Sequence, residues 1–362
     1  MQRDKVLIIN PGSTSTKVAI FKAEENIFTQ TLSHNIEKIR AFDSVVSQFD
    51  FRKEVILSWL DEIGVKTSEL TAVVARGGMI RSIPSGIYAV TDFMQEDLRV
   101  GFQGEHASNL GGLLARSIAD PEGIGAYIVD PVSVDEFIDI ARISGHPAIK
   151  RSALSHALNI KATAHKVAGD LGRLITELNM IVVHLGGGIS VVPMEKGRII
   201  DNTRADSEGP FSPDRSGGNP VGDVAAMCFS GKYTEKEMLQ KTNSKGGLMS
   251  HLGTSDVREV EKRIKEGDKK AKLILEAMCY QIGKQIGAVA TCLKGDVDVI
   301  VLTGGVAYSE FVTSYIEEMV SFIAPVKIEA GEDELAALNN AYLRMISGEN
   351  RLKVYDDEVK NN

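Results

Sequence analysis

A chain of 362 residues with 43% hydrophobic content can bury a large core and, at roughly 150 residues per domain, make about two domains. Its 41 Lys and Arg against 49 Asp and Glu leave a net charge of −8, which argues against a nucleic-acid partner that needs a basic face. No run reaches the ~18 apolar residues of a membrane span, and no apolar leader precedes a cleavage site. Cys228, Cys279 and Cys292 lack metal-ligand spacing and sit among apolar residues. The chain therefore reads as cytoplasmic, with buried free thiols and no membrane partner.

The first element in chain order is Val6 to Phe21, "VLIINPGSTSTKVAIF", two apolar strands around a bend that carries Asn10, Ser13, Ser15 and Lys17. A third strand follows at Ile27 to Leu32. The stretch from Arg52 predicts a helix with Val55, Ile56, Trp59, Leu60 and Ile63 on one face, stopping at Gly64. Single strands follow in "LTAVVARGG" and "GAYIVDPVS".

Met180 to Met194, "MIVVHLGGGISVVPM", repeats the opening pattern: a β-branched strand, one polar residue (His184 for Asn10), a glycine two positions on (Gly186 for Gly12) and a second strand. A third strand is expected over Arg198 to Asn202. Two such meanders half a chain apart predict two related domains. Thr203 to Pro220 has no periodicity and predicts a long functional loop containing Arg204 and Arg215. A long helix is expected from Ala271 to Leu293, a strand at "DVDVIVLTGG", and an idle polar tail from Glu349.

Glycine turns between strands turn several N–H groups toward one point and bind phosphate. Three are candidates: Asn10 to Lys17, Leu185 to Ser190, and Thr303 to Val306. Neither the P-loop nor the dinucleotide fingerprint is present. Phosphoryl transfer also needs cations and an anion for magnesium. Arg76, Arg215, Lys17 and Asp130 stand beside Gly or Pro or in such a turn.

The stretches "IINPGSTSTK" and "VVHLGGGISV" resemble the two signatures of the acetate and butyrate kinase family, the acetokinase family. The likeness continues through "GEHASNLGG", "SALSHALNIKA", "DRSGG" and "VIVLTGGVAYSE", covering most of residues 5 to 346. It implies an α/β chain with a duplicated ribonuclease H-like, actin-like ATPase fold, as in acetate kinase, sugar kinases, Hsp70 and actin. Each domain would have a five-stranded mixed sheet, the two set around a nucleotide cleft. Domains are expected at 1–170 and 171–348, with a helix at 332–348 returning to the first and a tail at 349–362.

The resemblance also implies reversible transfer of phosphoryl between ATP and a short-chain fatty acid, with Mg2+, in a homodimer or larger homo-oligomer. Asn10 would help bind magnesium or phosphate, and Ser13, Ser15 and Lys17 would face the phosphoryl chain. Gly186, Gly187 and Gly188 would take neighbouring phosphates, and Gly304 and Gly305 would lie near the nucleoside. His184 would contact phosphate or make a structural hydrogen bond. Arg215 matches the family's active-site arginine and Asp130 the aspartate closing a strand, there to hold magnesium-bound water or to orient the acid. Glu334 would complete the magnesium shell, or only favour its helix N-terminus.

Three departures stand out. Arg76 directly precedes its glycine pair in "VVARGG", whereas acetate kinases carry "HRVVHGG". Ser152 replaces the first histidine of the acetate-kinase "HGTSH", and His156 matches the second. Asp206 and Ser207 precede the "EG" pair Glu208 and Gly209, where acetate kinase has a pocket proline. The last departure points to a remodelled acyl pocket for a larger acid, and the missing "HGTSH" with "SHALNIKA" present makes the chain look most like the butyrate kinases, linear or branched-chain. Acetate or propionate kinase, an ATP-dependent binding protein of the actin or Hsp70 kind, and a carbohydrate kinase using Asp130 as base are the rival readings.

Overall fold

The computed structural model describes residues 3–360. The chain divides into two compact units, one running to Asp135 and resuming at Asp333, the other spanning Glu136–Glu332. The division falls earlier than position 170, and the segment from Asp333 onward belongs with the first unit.

The strands, in chain order, are β1 (Lys5–Pro11), β2 (Ser15–Lys22), β3 (Glu25–Ser33), β4 (Leu70–Arg76), β5 (Ile87–Ala89) and β6 (Gly125–Val129). They continue with β7 (Asn179–Leu185), β8 (Ile189–Glu195), β9 (Arg198–Ile199), β10 (Val299–Gly304), β11 (Val326–Ala330) and β12 (Lys353–Val354). The first unit's sheet has the order β12-β5-β6-β4-β1-β2-β3, and the second unit's β11-β10-β7-β8-β9.

The internal repeat is visible in the pairing. β1 runs antiparallel to β2 and parallel to β4, and β4 is parallel to β6. β7 runs antiparallel to β8 and parallel to β10, and β10 is parallel to β11. The same five-strand path is thus drawn twice. The first sheet has seven strands rather than the five expected, because β5 and β12 extend its edge. Both are too short to leave a periodic signal.

Apolar runs explain the central strands. Val6 to Ile9 and Met180 to Leu185 are all buried, as strands covered on both faces must be. Helix Phe49–Glu62 covers the first sheet with Ile56, Trp59 and Leu60 and ends before Gly64, whose φ of +70° is cheap only for glycine. It also buries Arg52, a charge on an otherwise apolar stripe. Helix Lys269–Ala290 does the same for the second unit through Leu275, Met278, Ile282 and Ile286.

Three further expectations change. The tail is not idle: β12 pairs with β5, and Tyr355 is fully buried, donating its hydroxyl to Asp97 Oδ2 at 2.6 Å. Cys279 is buried, but Cys292 is half-buried and Cys228 exposed; all three are free. The strand expected over Arg198 to Asn202 is only two residues long, although the chain stays beside β8 through the Ile200 N–H to Pro193 carbonyl bond at 3.2 Å and the Thr203 N–H to Val191 carbonyl bond at 3.1 Å. Residues 203–220 form the expected loop, without helix or strand. Among the described residues no helix is long and apolar enough to cross a membrane.

Candidate functional site

In the first unit, three of the candidate side chains sit where parallel strands end. β1, β4 and β6 are neighbours, with Ile9 paired to Ala75 and Arg76 to Val129, so Asn10, Arg76 and Asp130 come out at one edge of the sheet. Ligands of open α/β sheets bind at such carboxyl edges. Glu334, the first residue of helix Glu334–Ile346, joins them: one carboxylate oxygen lies 2.8 Å from Arg76 Nη1, and the other accepts from Asn10 Nδ2. Arg76 is therefore in the cluster even though its spacing from the glycine pair is unusual. Gly111 lets helix Asn109–Ala119 approach it, since a Cβ there would stand 2.2 Å from the Arg76 carbonyl oxygen.

Asp130 takes φ +36°, a costly conformation for a side-chain-bearing residue. Its carboxylate is 7% exposed and accepts from Ser85 Oγ at 2.6 Å and the Gly86 N–H at 2.7 Å. Ser85 was not anticipated; its only sequence signal is the "PSG" turn. Lys17 is exposed on β2 directly opposite Asn10, and opposed residues of an antiparallel pair share a face. Ser13 is exposed in the turn between β1 and β2, and Ser15, half-exposed, opens β2.

In the second unit, His184 is buried near the end of β7 and bonds Asn159 through Nδ1 at 2.8 Å. Its Nε2 lies 4.0 Å from Glu332. His156 stacks on it, ring centroids 3.8 Å apart, and meets Ser190 Oγ at 3.0 Å. Asn159 and Glu332 were not anticipated, although Asn159 lies one helical turn beyond His156.

The turn at Gly186, Gly187 and Gly188 is held by its own Gly186 N–H to Gly188 carbonyl bond at 3.1 Å and by Ser212 Oγ donating to the Gly187 carbonyl. Ser212 also accepts from the Arg215 N–H at 3.1 Å. The Arg215 guanidinium donates to the Ala205 carbonyl at 2.8 Å and lies over Gly188, where a Cβ would meet Nη1 at 2.3 Å. Burial raises the Asp214 carboxyl above the usual carboxylate range, opposed by the neighbouring Arg215.

A cavity of about 680 Å³ is lined by Gly186, Gly187, Asp214, Gly305, Tyr308 and Glu332, among others. Gly305 lines it directly. Gly304, at φ +90°, serves close approach instead, because a Cβ there would stand 2.5 Å from the Leu185 carbonyl oxygen.

The loop after β9 is tied by two arginines. Arg151 bridges Asp201 and Glu208, both at 2.9 Å. Arg204 pairs with Asp206 at 2.7 Å and donates to Ser152 Oγ at 2.7 Å. Ser152 and Asp206, both noted as departures, are thus joined through one guanidinium.

Among the described residues no three His, Cys, Asp or Glu side chains form a ready metal site. Magnesium asks for less: one or two carboxylates, with phosphate oxygens and waters completing its shell. The hard oxygens of Asn10 and Glu334 fit that demand.

A sequence profile of the acetokinase family matches residues 149–352. The chain is 53% identical, over 97% of its length and 99% of the relative's, to a protein named probable butyrate kinase 2 from Caldanaerobacter subterraneus subsp. tengcongensis. It is 52% identical to butyrate kinase 1 of Clostridium acetobutylicum, over the same shares. Among solved structures, Porphyromonas gingivalis acetate kinase matches with TM-score 0.76 and 20% identity over 94% of this chain and 99% of that one. A propionate kinase from Francisella tularensis matches with TM-score 0.76 and 17% identity over 94% and 98%. These structures bear out the expected duplicated actin-like ATPase fold, and the full-length relatives settle the family: the chain belongs to the acetokinase family.

Proposed function

We propose that this chain is a butyrate kinase, moving phosphoryl reversibly between ATP and a short-chain fatty acid, butyrate or isobutyrate, to give acyl phosphate and ADP. As a member of its family it is a phosphotransferase with a carboxyl group as acceptor. The observation that carries the reading is the cluster of Asn10, Glu334 and Arg76 at the carboxyl ends of β1 and β4, which sets a cation for a phosphoryl group beside oxygens suited to magnesium. The relatives named butyrate kinase support the four-carbon acid.

A fatty acid is ionised at pH 7, so its carboxylate oxygen attacks the γ-phosphorus without a strong base. The new acyl P–O bond forms as the bond to the ADP oxygen breaks. The barrier lies in joining two anions. Arg215, Arg76 and Lys17 offset that repulsion and stabilise the in-line transition state, positioning being the rest of the task. His156 and His184 contribute hydrogen bonds beside the Gly186 to Gly188 turn, with His184 oriented by Asn159. Ser13, Ser15 and the glycine turn contact the phosphoryl chain, and the cavity beside Gly305 takes the nucleoside. Asn10, Glu334 and Asp130 would hold Mg2+, which when bound neutralises phosphoryl oxygens.

We place the enzyme in the cytoplasm as a homodimer or larger homo-oligomer. Helix Val221–Cys228 buries none of its residues and is followed by Phe229, 91% exposed, an apolar face that a second copy would cover. Sedimentation as a monomer would contradict this. For the activity, ADP release from ATP and magnesium should depend on added butyrate; release independent of any acid would favour an ATP-dependent binding protein.

A further inference from the structure

Arg52 is 1% exposed, on helix Phe49–Glu62, and among the described residues it makes no ion pair with any carboxylate. Its guanidinium is consumed by the turn between β1 and β2. Nη1 donates to the carbonyls of Gly12 at 2.9 Å and Ser15 at 3.1 Å and to Thr16 Oγ1 at 3.1 Å. Nη2 donates to the Ser13 carbonyl at 3.1 Å, and Gln48 Oε1 accepts from Nε at 3.1 Å and from Nη2 at 2.9 Å. The remaining carbonyl of the turn, Thr14, accepts from the His34 N–H at 2.9 Å.

Four successive carbonyls, Gly12 to Ser15, are therefore all occupied. The N–H groups of Ser13 and Thr14, on exposed residues, donate to no acceptor among the described residues. A turn with its carbonyls engaged and its N–H groups free is a concavity for an anion. A buried positive charge stands behind it, and burial alone lowers the Arg52 pKa to about 10, so an anion at the turn would relieve a real electrostatic cost.

We propose that Arg52 is a positioning residue for phosphoryl transfer: it clamps the Gly12 to Ser15 carbonyls so that the Ser13 and Thr14 N–H groups receive the phosphoryl chain of the nucleotide. This rests on the kinase reading and adds to it a residue outside both signature stretches. Lysine cannot substitute, because three donors on one nitrogen cannot span the acceptors that a planar five-donor fork reaches. The second unit holds its glycine turn by other means, Ser212 and Arg215.

The test is Arg52→Lys in the full chain, with Ile56→Val as a control that loosens the same helix without touching the turn. In the parent, pyrophosphate should shift the Ser13 and Thr14 amide resonances. In Arg52→Lys, pyrophosphate should bind and ATP should saturate at least about tenfold more weakly, the scale of one lost charge-assisted hydrogen bond, with the KM for butyrate unchanged. Arg52→Lys behaving like the parent, Ile56→Val reproducing its defect, or pyrophosphate leaving both amides unmoved in the parent would each overturn the proposal. Should Arg52→Lys fail to fold, Gln48→Leu, which removes the acceptor of two guanidinium bonds, decides on the same readouts. A parent that transfers no phosphoryl to any carboxylate, yet shows Arg52-dependent amide shifts, would remove the kinase reading and leave the positioning role intact.

Discussion

Arg76 Nη1 and Glu334 Oε1 lie 2.8 Å apart although the residues come from opposite ends of the chain, and Glu334 reaches Asn10 with its other oxygen. The last long helix thus closes a cluster that the first strand opens. Glu334→Gln should keep the fold, lower turnover about a hundredfold and raise the magnesium concentration for half-activity, the scale expected when one electrostatic element of a transition state is removed. A magnesium titration checks this; an unchanged midpoint would assign Glu334 to holding Arg76 alone.

Arg215→Ala should slow turnover by two or more orders of magnitude, on the scale of about 3 kcal/mol for one lost electrostatic stabiliser, while circular dichroism and Tm stay near the parent's. Gly188→Ala makes a milder version of the same injury. Its Cβ would stand 2.3 Å from Arg215 Nη1, so the guanidinium must swing aside. Activity should fall while folding is preserved, because the obstructed atom ends a flexible side chain. Normal turnover in a folded Arg215→Ala protein would remove the assignment.

Asp130 couples backbone strain to its hydrogen bonds. Asparagine tolerates its φ of +36° and keeps an acceptor for Gly86, so Asp130→Asn should fold with little change in Tm and lose activity. Asp130→Ala should also lose about 1–3 kcal/mol of stability from an unmatched N–H and the strained backbone. Urea unfolding separates the two. A raised magnesium requirement in Asp130→Asn would give Asp130 the metal role, and poorer acid saturation the orienting one.

His34 carries a pH signature. Its Nε2 meets Thr16 Oγ1 at 2.9 Å, and burial first, then the charge of Arg52, lower its pKa from 6.5 to about 4. Between those values the unfolded chain binds the extra proton, so this group's contribution to stability is complete above pH 6.5 and is lost as pH falls toward 4. The His34 ring resonance should titrate near 4, and replacing His34 with Gln should flatten the stability profile across that window. Titration near 6.5 in the folded protein would contradict the packing around Arg52.

How much of this was legible beforehand follows from the range of each signal. The central strands were readable because apolar runs such as Val6 to Ile9 report burial directly, and the helix from Arg52 because its face repeats every three to four residues. The duplication was readable for the same reason. β5, β12 and the burial of Tyr355 were not, since short edge strands depend on partners far along the chain. Among site residues, those in glycine turns announced themselves. Ser85, Asn159 and Ser212 did not, because each acts by meeting a residue brought near only by folding. Arg52 hid best: at the start of a predicted helix a lone arginine reads as a solvated charge, and only its acceptors reveal otherwise.

The most direct measurement is hydroxylamine trapping of acyl phosphate formed from ATP and magnesium across acetate, propionate, butyrate, isobutyrate and valerate. Trapped product is expected, with its highest specificity for butyrate or isobutyrate. A maximum at acetate would leave the phosphoryl-transfer chemistry and contradict the remodelled acyl pocket around Ser152 and Asp206; no product with any acid would contradict the kinase reading itself.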